Sequence, residues 1–293
     1  MNNKNINLSF EFQEITPHTI IANYKDCFKL NAGAVILNNF ILVIDTLLYP
    51  RQSKEFRKKL EKKYNLPVKY LFITHSHSDH YFGVSSFQDV EIFGSNILIE
   101  VLKRKREKNW TKKAFNEWKK SEPEFSEIID EIEIIIPNFG FENQWILKDN
   151  DLTVEFYTSG GHTECSSYAY FPSENTLFTG DLVASGYWPF ISDPNESFEG
   201  WINSFKHMLT LKVNTIIPGH GPLVGKNYIS EQLSFMLKLK KAVLRNISEG
   251  KGFEQIIIPE YPYEPAEDWQ IPKALEHLEN YYSKKVNSLK KEI

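Results

Sequence analysis

Cysteine is almost absent: Cys27 and Cys165 are the only two in 293 residues, too few for a disulfide framework and suited to a reducing compartment. No apolar stretch approaches membrane-spanning length, so no membrane partner is expected. The N-terminal run Met1-Asn2-Asn3-Lys4-Asn5-Ile6-Asn7 lacks the basic segment and apolar core of a secretory signal, which points to a cytoplasmic chain beginning near Met1. A strong excess of either charge is missing as well. The formal net charge of −4 offers no general attraction for phosphate backbones or anionic lipid, and nucleic acid is not an expected partner. Low-complexity linkers and internal repeats are also lacking, which removes the usual marks of a domain boundary.

What is present has the composition of a folded globular protein, with 41% hydrophobic and 25% charged residues, and a length that permits one large α/β domain or two ordinary ones. Three early runs, 19–22, 34–37 and 40–44, are rich in β-branched residues and separated by Asn, Asp and Gly. They read as an antiparallel meander. The last ends Val43-Ile44-Asp45-Thr46, a carboxylate where an apolar strand gives way to a loop. An amphipathic helix is expected over 53–64, then a short strand over 68–73 that runs into Thr74-His75-Ser76-His77. From about 97 to 136 the pattern is helical and highly charged, with Trp110, Phe115, Trp118 and Phe125 among lysines and glutamates. This reads as an insertion whose aromatics either pack on the body or form a lid, and it can equally serve as a homodimer surface. Strands resume at 143–147, 152–158, 167–171 and 176–179, with Pro172-Ser173-Glu174-Asn175 as a hairpin turn. A helix at 198–211, a strand at 215–217 and a helical extension from about 226 to 293 complete the chain.

His75-Ser76-His77-Ser78-Asp79-His80 places three imidazoles and a carboxylate in six consecutive positions just beyond a strand. Neutral imidazole nitrogen and carboxylate oxygen are ligands that zinc, manganese and iron accept. Burying so many polar groups without a metal would leave several unpaired. Three further segments each put one ligand-type residue at a strand-to-loop junction: Gly160-Gly161-His162-Thr163, Phe178-Thr179-Gly180-Asp181 and Pro218-Gly219-His220-Gly221. Alone, a Gly-flanked histidine can simply serve a turn; the recurrence carries the signal, since only His18, His207 and His277 lie outside such segments. Because the candidate ligands are spread over both halves of the chain, a single domain over 1–293 is the simpler reading.

With these segments in place, the sequence resembles the metallo-β-lactamase superfamily, whose pattern runs H-x-H-x-D-H, then a distant H, a D and an H. All seven positions are matched between about residues 31 and 223. The resemblance implies an α/β fold, a four-layer αββα sandwich, here with the helical insertion and the C-terminal helices added. It implies that His75, His77 and His162 bind one metal, that Asp79, His80 and His220 bind a second, and that Asp181 bridges them. Asp45, with Thr74 beside it, would orient a ligand histidine from behind. The cofactor implied is a pair of divalent ions, zinc first, with manganese or iron as alternatives.

In the true β-lactamases of this superfamily the position of Asp181 is typically cysteine or serine, whereas aspartate is similar to the glyoxalase II, lactonase and phosphodiesterase branches. Antibiotic hydrolysis therefore ranks lower than hydrolysis of a small-molecule ester-like bond, thioester or lactone ahead of phosphodiester. Two cations sharing a hydroxide would lower its pKa and polarise the scissile oxygen, with Asp79 and Asp181 as the catalytic carboxylates. A Cys165–His162 nucleophilic dyad is then unnecessary. The alternatives are an iron-dependent persulfide dioxygenase and a metal-binding protein without catalysis. Tyr81, Tyr187, Trp188 and Phe190 follow ligand positions closely and either wall a substrate pocket or pack as ordinary core aromatics.

Overall fold

The computed structural model describes residues 8–24, 29–191, 193 and 197–291, and side chains as far as residue 285. Cys27 lies outside the described residues. The strands are β1 (Glu11–Glu14), β2 (Thr19–Tyr24), β3 (Leu30–Ile36), β4 (Ile41–Ile44), β5 (Val68–Phe72), β6 (Glu91–Ser95) and β7 (Phe139–Phe141) in the first half. The second half holds β8 (Gln144–Asp149), β9 (Leu152–Thr158), β10 (Ser167–Phe171), β11 (Thr176–Ala184) and β12 (Thr215–His220). The helices are α1 (Pro50–Tyr64), α2 (Ser78–Tyr81), α3 (Asn96–Lys108), α4 (Lys112–Ser121), α5 (Ser126–Ile129), α6 (Phe198–Thr210), α7 (Lys226–Ser248) and α8 (Gln270–Lys291). No helix among the described residues is long and apolar enough to cross a membrane.

Alternation along buried strands builds the layers. In β4, Leu42 and Ile44 join a core with Phe72 and Phe93 from the first half and Phe156, Phe171 and Phe178 from the second. Ile41 and Val43 point the other way, to Phe56 and Leu60 of α1 and Leu98 and Leu102 of α3. A third core sets Tyr168, Leu177 and Ile216 of the second half against Trp201, Phe205, Met236, Leu239 and Leu278 of α6, α7 and α8. The order is helices, sheet, sheet, helices: the four-layer αββα sandwich that the resemblance implies. Among the described residues, the two sheets join through β12 and β3 at the pair His220↔Leu30, beside which the Gly221 N–H donates to the Lys29 carbonyl. Elsewhere they splay around the aromatic core, where Phe156 sits 4.8 Å from Phe72 and 4.9 Å from Phe93.

The meander is as expected, β2–β3 and β3–β4 both antiparallel. Strands β4, β5, β6 and β7 are mutually parallel, as are β11 and β12, so each set sends its carboxyl ends toward one edge. Such an edge is where α/β sheets collect functional loops. Strands β1, β6 and β7 were not expected, and β11 and β12 run further than expected. Strand β11 continues past Thr179 through Asp181 to Ala184, and β12 runs through His220, because register shifts between Phe178, Gly180 and Ala184 let the pairing resume after each irregularity. Within the insertion, Trp110, Phe115 and Trp118 pack around Phe82 at 5.0, 5.8 and 6.1 Å, and Phe125 stacks on Tyr49 at 5.5 Å. The insertion's aromatics therefore cover the body, the packing alternative, and do not line the cleft described below.

Candidate metal centre

At the carboxyl end of β4 the backbone turns through Asp45 at φ 60°, a left-handed conformation that aspartate tolerates better than most residues. The turn aims its carboxylate at the end of β5. There Oδ1 accepts the Thr74 N–H and Oδ2 the Thr74 hydroxyl, both at 2.8 Å, and Oδ2 lies 2.9 Å from His80 Nδ1. Thr74 Oγ1 in turn lies 3.0 Å from His75 Nδ1. The single turn of α2, which begins directly after His77, brings Asp79 and His80 round to the same centre. Glycine makes room for the remaining ligand-type residues. Gly161, at φ 118°, precedes His162 where a Cβ would sit 2.7 Å from Leu182 Cδ2, and a Cβ on Gly219 would lie 1.9 Å from Asp181 Oδ1.

The seven expected residues converge. His75, His77, His162 and Asp181 form one group and Asp79, His80 and His220 a second, each with one ligand atom per residue and those atoms all within 4.8 Å of one another. Asp181 Oδ2 lies 3.7 Å from His75 Nε2, 3.5 Å from His162 Nε2 and 3.3 Å from His220 Nε2, while Oδ1 lies 3.0 Å from His80 Nε2. Asp79 Oδ2 is 3.2 Å from His220 Nε2, and His162 Nε2 is 3.0 Å from His77 Nδ1. A tetrahedral ion with bonds of about 2.0–2.1 Å sets its ligand atoms about 3.3 Å apart, so these spacings suit ligation.

Four of the rings are tied from outside through one nitrogen, leaving the other for the centre. His75 and His80 are held through Nδ1 as above, His162 Nδ1 lies 3.3 Å from the Phe190 carbonyl, and His77 Nε2 lies 3.4 Å from Asp193 Oδ2. Asp193 carried no sequence signal, being an aspartate in a loop apart from every ligand motif. The inward atoms are left wanting: His75 Nε2 and Asp181 Oδ1 are buried with no aligned hydrogen-bond partner, a costly state that a metal ion would relieve. The residues present therefore fit a divalent cation.

The electrostatics divide along the same line. Burial, reinforced by neighbouring imidazoles, holds His75 well below the usual histidine range and His162 at about 4, so both are neutral and keep a lone pair for a metal. His80 and His220 go the other way. Burial disfavours their charged forms, but Asp181 and Asp79 outweigh it, raising His80 well above its ordinary value and His220 to about 10. Burial alone would raise the carboxyl of Asp181, yet His220 and His80 bring it well below the carboxylate range, and His80 and His220 do the same for Asp79. Cys165 is fully buried, its thiol is pushed up by burial, and its Sγ meets the Thr163 hydroxyl at 3.4 Å. It packs as a core residue while His162 Nε2 faces His77, so no dyad forms.

A cleft of about 460 Å³ opens over the centre, with His77, Asp79, His162, Asp181 and His220 in its lining. Tyr187, Trp188 and Phe190 line it as well. Tyr81 does not. Its ring is fully buried and stacked on Trp110 at 5.4 Å, and its hydroxyl donates to the Ile135 carbonyl at 2.6 Å, because the insertion covers that side of α2. A further part of the lining was missed by the sequence reading: Ala266, Glu267, Trp269 and Gln270, at the start of α8. Only the half-exposed aromatic Trp269, between two charged residues and a helix, could have drawn attention to it.

Comparison with known proteins agrees with this geometry. Over 188 residues the chain is 24% identical to a beta-lactamase-like protein 2 homolog of Caenorhabditis elegans, spanning 63% of this chain and about half (54%) of that relative's length. It is 21% identical over 213 residues to a metallo-beta-lactamase type 2 of Bacillus sp. (strain 170), covering 70% of this chain and 72% of the other. Among solved structures, the stereoselective inverting sec-alkylsulfatase of Pseudomonas sp. superposes with a TM-score of 0.74 at 14% identity, over 93% of this chain and 50% of that one. That similarity is one of fold. The sequence profile of the metallo-beta-lactamase superfamily matches residues 27–220, which take in both groups of converging histidines and aspartates, and the chain belongs to that superfamily.

Proposed function

We propose that the protein is a metal-dependent hydrolase of a small ester-like bond, thioester or lactone ahead of phosphodiester. The observation that carries this reading is the placement of Asp181, whose Oδ2 lies 3.5 Å from His162 Nε2 on one side and 3.3 Å from His220 Nε2 on the other. One carboxylate is thus shared between two groups of ligand atoms. Two divalent ions, zinc first and manganese or iron as alternatives, would be held by His75, His77 and His162 and by Asp79, His80 and His220, with Asp181 between them. When bound, such ions supply hydroxide at neutral pH and polarise a carbonyl or phosphoryl oxygen.

The chain's own residues do the rest. Asp79, whose carboxylate is partly open to the cleft, would orient the attacking water by accepting a hydrogen bond from it. Neutral His75 and His162 leave their inner nitrogens free to ligate. Tyr187, Trp188 and Phe190 exclude water beside the reacting bond and seat an apolar group, and burial keeps the Tyr187 phenol protonated as an O–H donor. Aspartate at 181 sets β-lactams below these substrates. Both halves of the chain and α8 contribute to the cleft, which supports reading 1–293 as one domain.

The test is a parallel initial-rate screen of thioester, lactone, phosphodiester and β-lactam substrates on protein loaded separately with zinc, manganese and iron. Turnover of one ester-like class, lost with the metal in Asp181→Ala, is the expected result. Full activity in metal-free protein overturns the proposal. Silence in every class, with oxygen uptake on a persulfide by the iron form, would replace it with the dioxygenase.

A further inference from the structure

The cleft is polar at its floor and aromatic at its mouth. Beyond the histidines and aspartates, the lining joins Tyr187, Trp188 and Phe190 to Ala266, Glu267, Trp269 and Gln270. Residues 266–270 lie outside the part of the chain that the superfamily profile matches. They are anchored, since the Trp188 N–H donates to the Glu264 carbonyl and the Ala266 N–H to Gln270 Oε1, both at 3.0 Å. Trp269 nevertheless remains 52% exposed, its ring set at 88° to Phe190 with centroids 6.0 Å apart. Large apolar surface left open at a cleft commonly marks a ligand-facing position.

The charge inventory of this mouth is one-sided. Among the described lining residues there is no lysine or arginine, and the one charged side chain away from the floor is Glu267. The ring faces of tryptophan, tyrosine and phenylalanine present negative potential, which attracts a cation and repels an anion. A carboxylate in the same lining as the exposed Trp269 ring and the partly buried Phe190 makes the outer cleft complementary to positive charge.

Resting on the hydrolytic reading above, we propose that the mouth of the cleft binds the cationic end of the substrate, an ammonium group held by Glu267 and the rings of Trp269 and Phe190. The substrates preferred are then ester-like compounds with an apolar body and a distal amine or quaternary ammonium. Their anionic counterparts are selected against. Glu267 is the discriminator, and Trp269 supplies the ring face that makes partial desolvation of the cation tolerable.

Equilibrium binding tests this without turnover. On the full-length, metal-loaded protein, the affinities of 4-phenylbutylammonium and of the neutral 4-phenylbutanol are compared by calorimetry, then repeated on Glu267→Gln and Trp269→Leu. Cation–π contact at a partly desolvated site together with an ion pair leads us to expect the ammonium to bind about tenfold or more tightly than the alcohol. Glu267→Gln should remove most of that ratio, and Trp269→Leu should weaken the ammonium more than the alcohol. Glu267 is exposed, so its variant tests the charge and not the folding. Equal affinities, no measurable binding of the ammonium, or a ratio unchanged in Glu267→Gln overturns the proposal. An inactive protein that keeps the ammonium preference would sink the hydrolytic reading alone, and an active one without the preference would sink this one alone.

Discussion

Asp45 and His80 are joined by a 2.9 Å contact between Oδ2 and Nδ1, while His80 Nε2 faces Asp181 Oδ1 at 3.0 Å. The carboxylate thus fixes which nitrogen of His80 points inward. The same group holds Thr74, and through it His75, so one side chain outside the ligand set orients histidines of both groups. The left-handed backbone at Asp45 persists because these contacts over-determine it.

Asp45→Asn is the informative variant, since asparagine tolerates the left-handed backbone and keeps the shape. An amide can present NH₂ to His80 Nδ1 where an acceptor is needed. Metal affinity should fall by about 10–100-fold, the usual cost of losing a partner behind a ligand. Competition with a chromophoric chelator measures it, and wild-type affinity in the variant would show that Asp45 serves only the turn.

Metal uptake should release protons unequally. In the metal-free protein His220 titrates at about 10 and His80 well above its ordinary value, so both carry protons at neutral pH that an ion must displace. His75 and His162, the latter at about 4, carry none. The group of Asp79, His80 and His220 should therefore lose affinity as pH falls from 8 to 6, while His75 and His162 hold theirs. Calorimetry in two buffers of different ionisation enthalpy reads the proton release, and an affinity that is the same at pH 8 and pH 6, with no protons released on binding, would contradict it.

The same shifts set the acid stability of the metal-free protein. A folded pKa depressed below the unfolded value, as at His75 and His162, means that the unfolded chain binds more protons as pH drops below about 6.5. Raised values at His80 and His220 contribute stability that is complete below that pH and lost only as pH climbs toward about 10. Denaturant midpoints should then decline on the acid side from near pH 6.5, and metal loading should offset the decline above the pH where ligands protonate.

The ligand set was legible because its chemistry is written in short segments. Three histidines and an aspartate within six positions, and histidines or an aspartate beside glycine, needed no knowledge of the fold. The sandwich followed from the resemblance that those segments carry, while apolar runs such as β4 marked only the individual strands. What stayed hidden depends on long-range packing. Asp193 meets His77 across 116 positions, and Tyr81 turns away from the cleft because Trp110 and the Ile135 carbonyl capture it. Strand β7 is three residues long and contains a glycine, so only its pairing with β6 identifies it. Residues 266–270 read as an ordinary helix start, and their position over the centre comes from α8 packing on α7 and α6.

Gly219 carries a steric prediction. A Cβ there would stand 1.9 Å from Asp181 Oδ1 and 2.8 Å from the Gly180 carbonyl carbon, so backbone as well as the carboxylate must move. Gly219→Ala should cost about 1–3 kcal/mol, as overpacking does, and lower metal content through displacement of Asp181. Gly225→Ala is the control, because the nearest atom to its added Cβ is the Asn214 carbonyl oxygen at 3.9 Å. Denaturant unfolding and metal analysis on both variants decide the matter; equal behaviour would mean that β12 can shift to accommodate the methyl group.

Asp193 supports the opposite side of the centre from Asp45. With His77 Nε2 3.4 Å from Asp193 Oδ2, Nδ1 is the nitrogen left to face His162 Nε2 at 3.0 Å. Removing the carboxylate frees the ring to rotate and removes the charge that favours a proton on Nε2. Asp193→Ala should therefore weaken binding at the His75, His77 and His162 group by about 10–100-fold, without direct contact with the Asp79, His80 and His220 group. Metal titration of this variant beside Asp45→Asn separates the two supports. Asp193→Ala should weaken one step of a two-step isotherm and Asp45→Asn, which reaches His75 through Thr74 as well as His80, both steps; an isotherm of Asp193→Ala identical to that of the unsubstituted protein would show that Asp193 does not support His77.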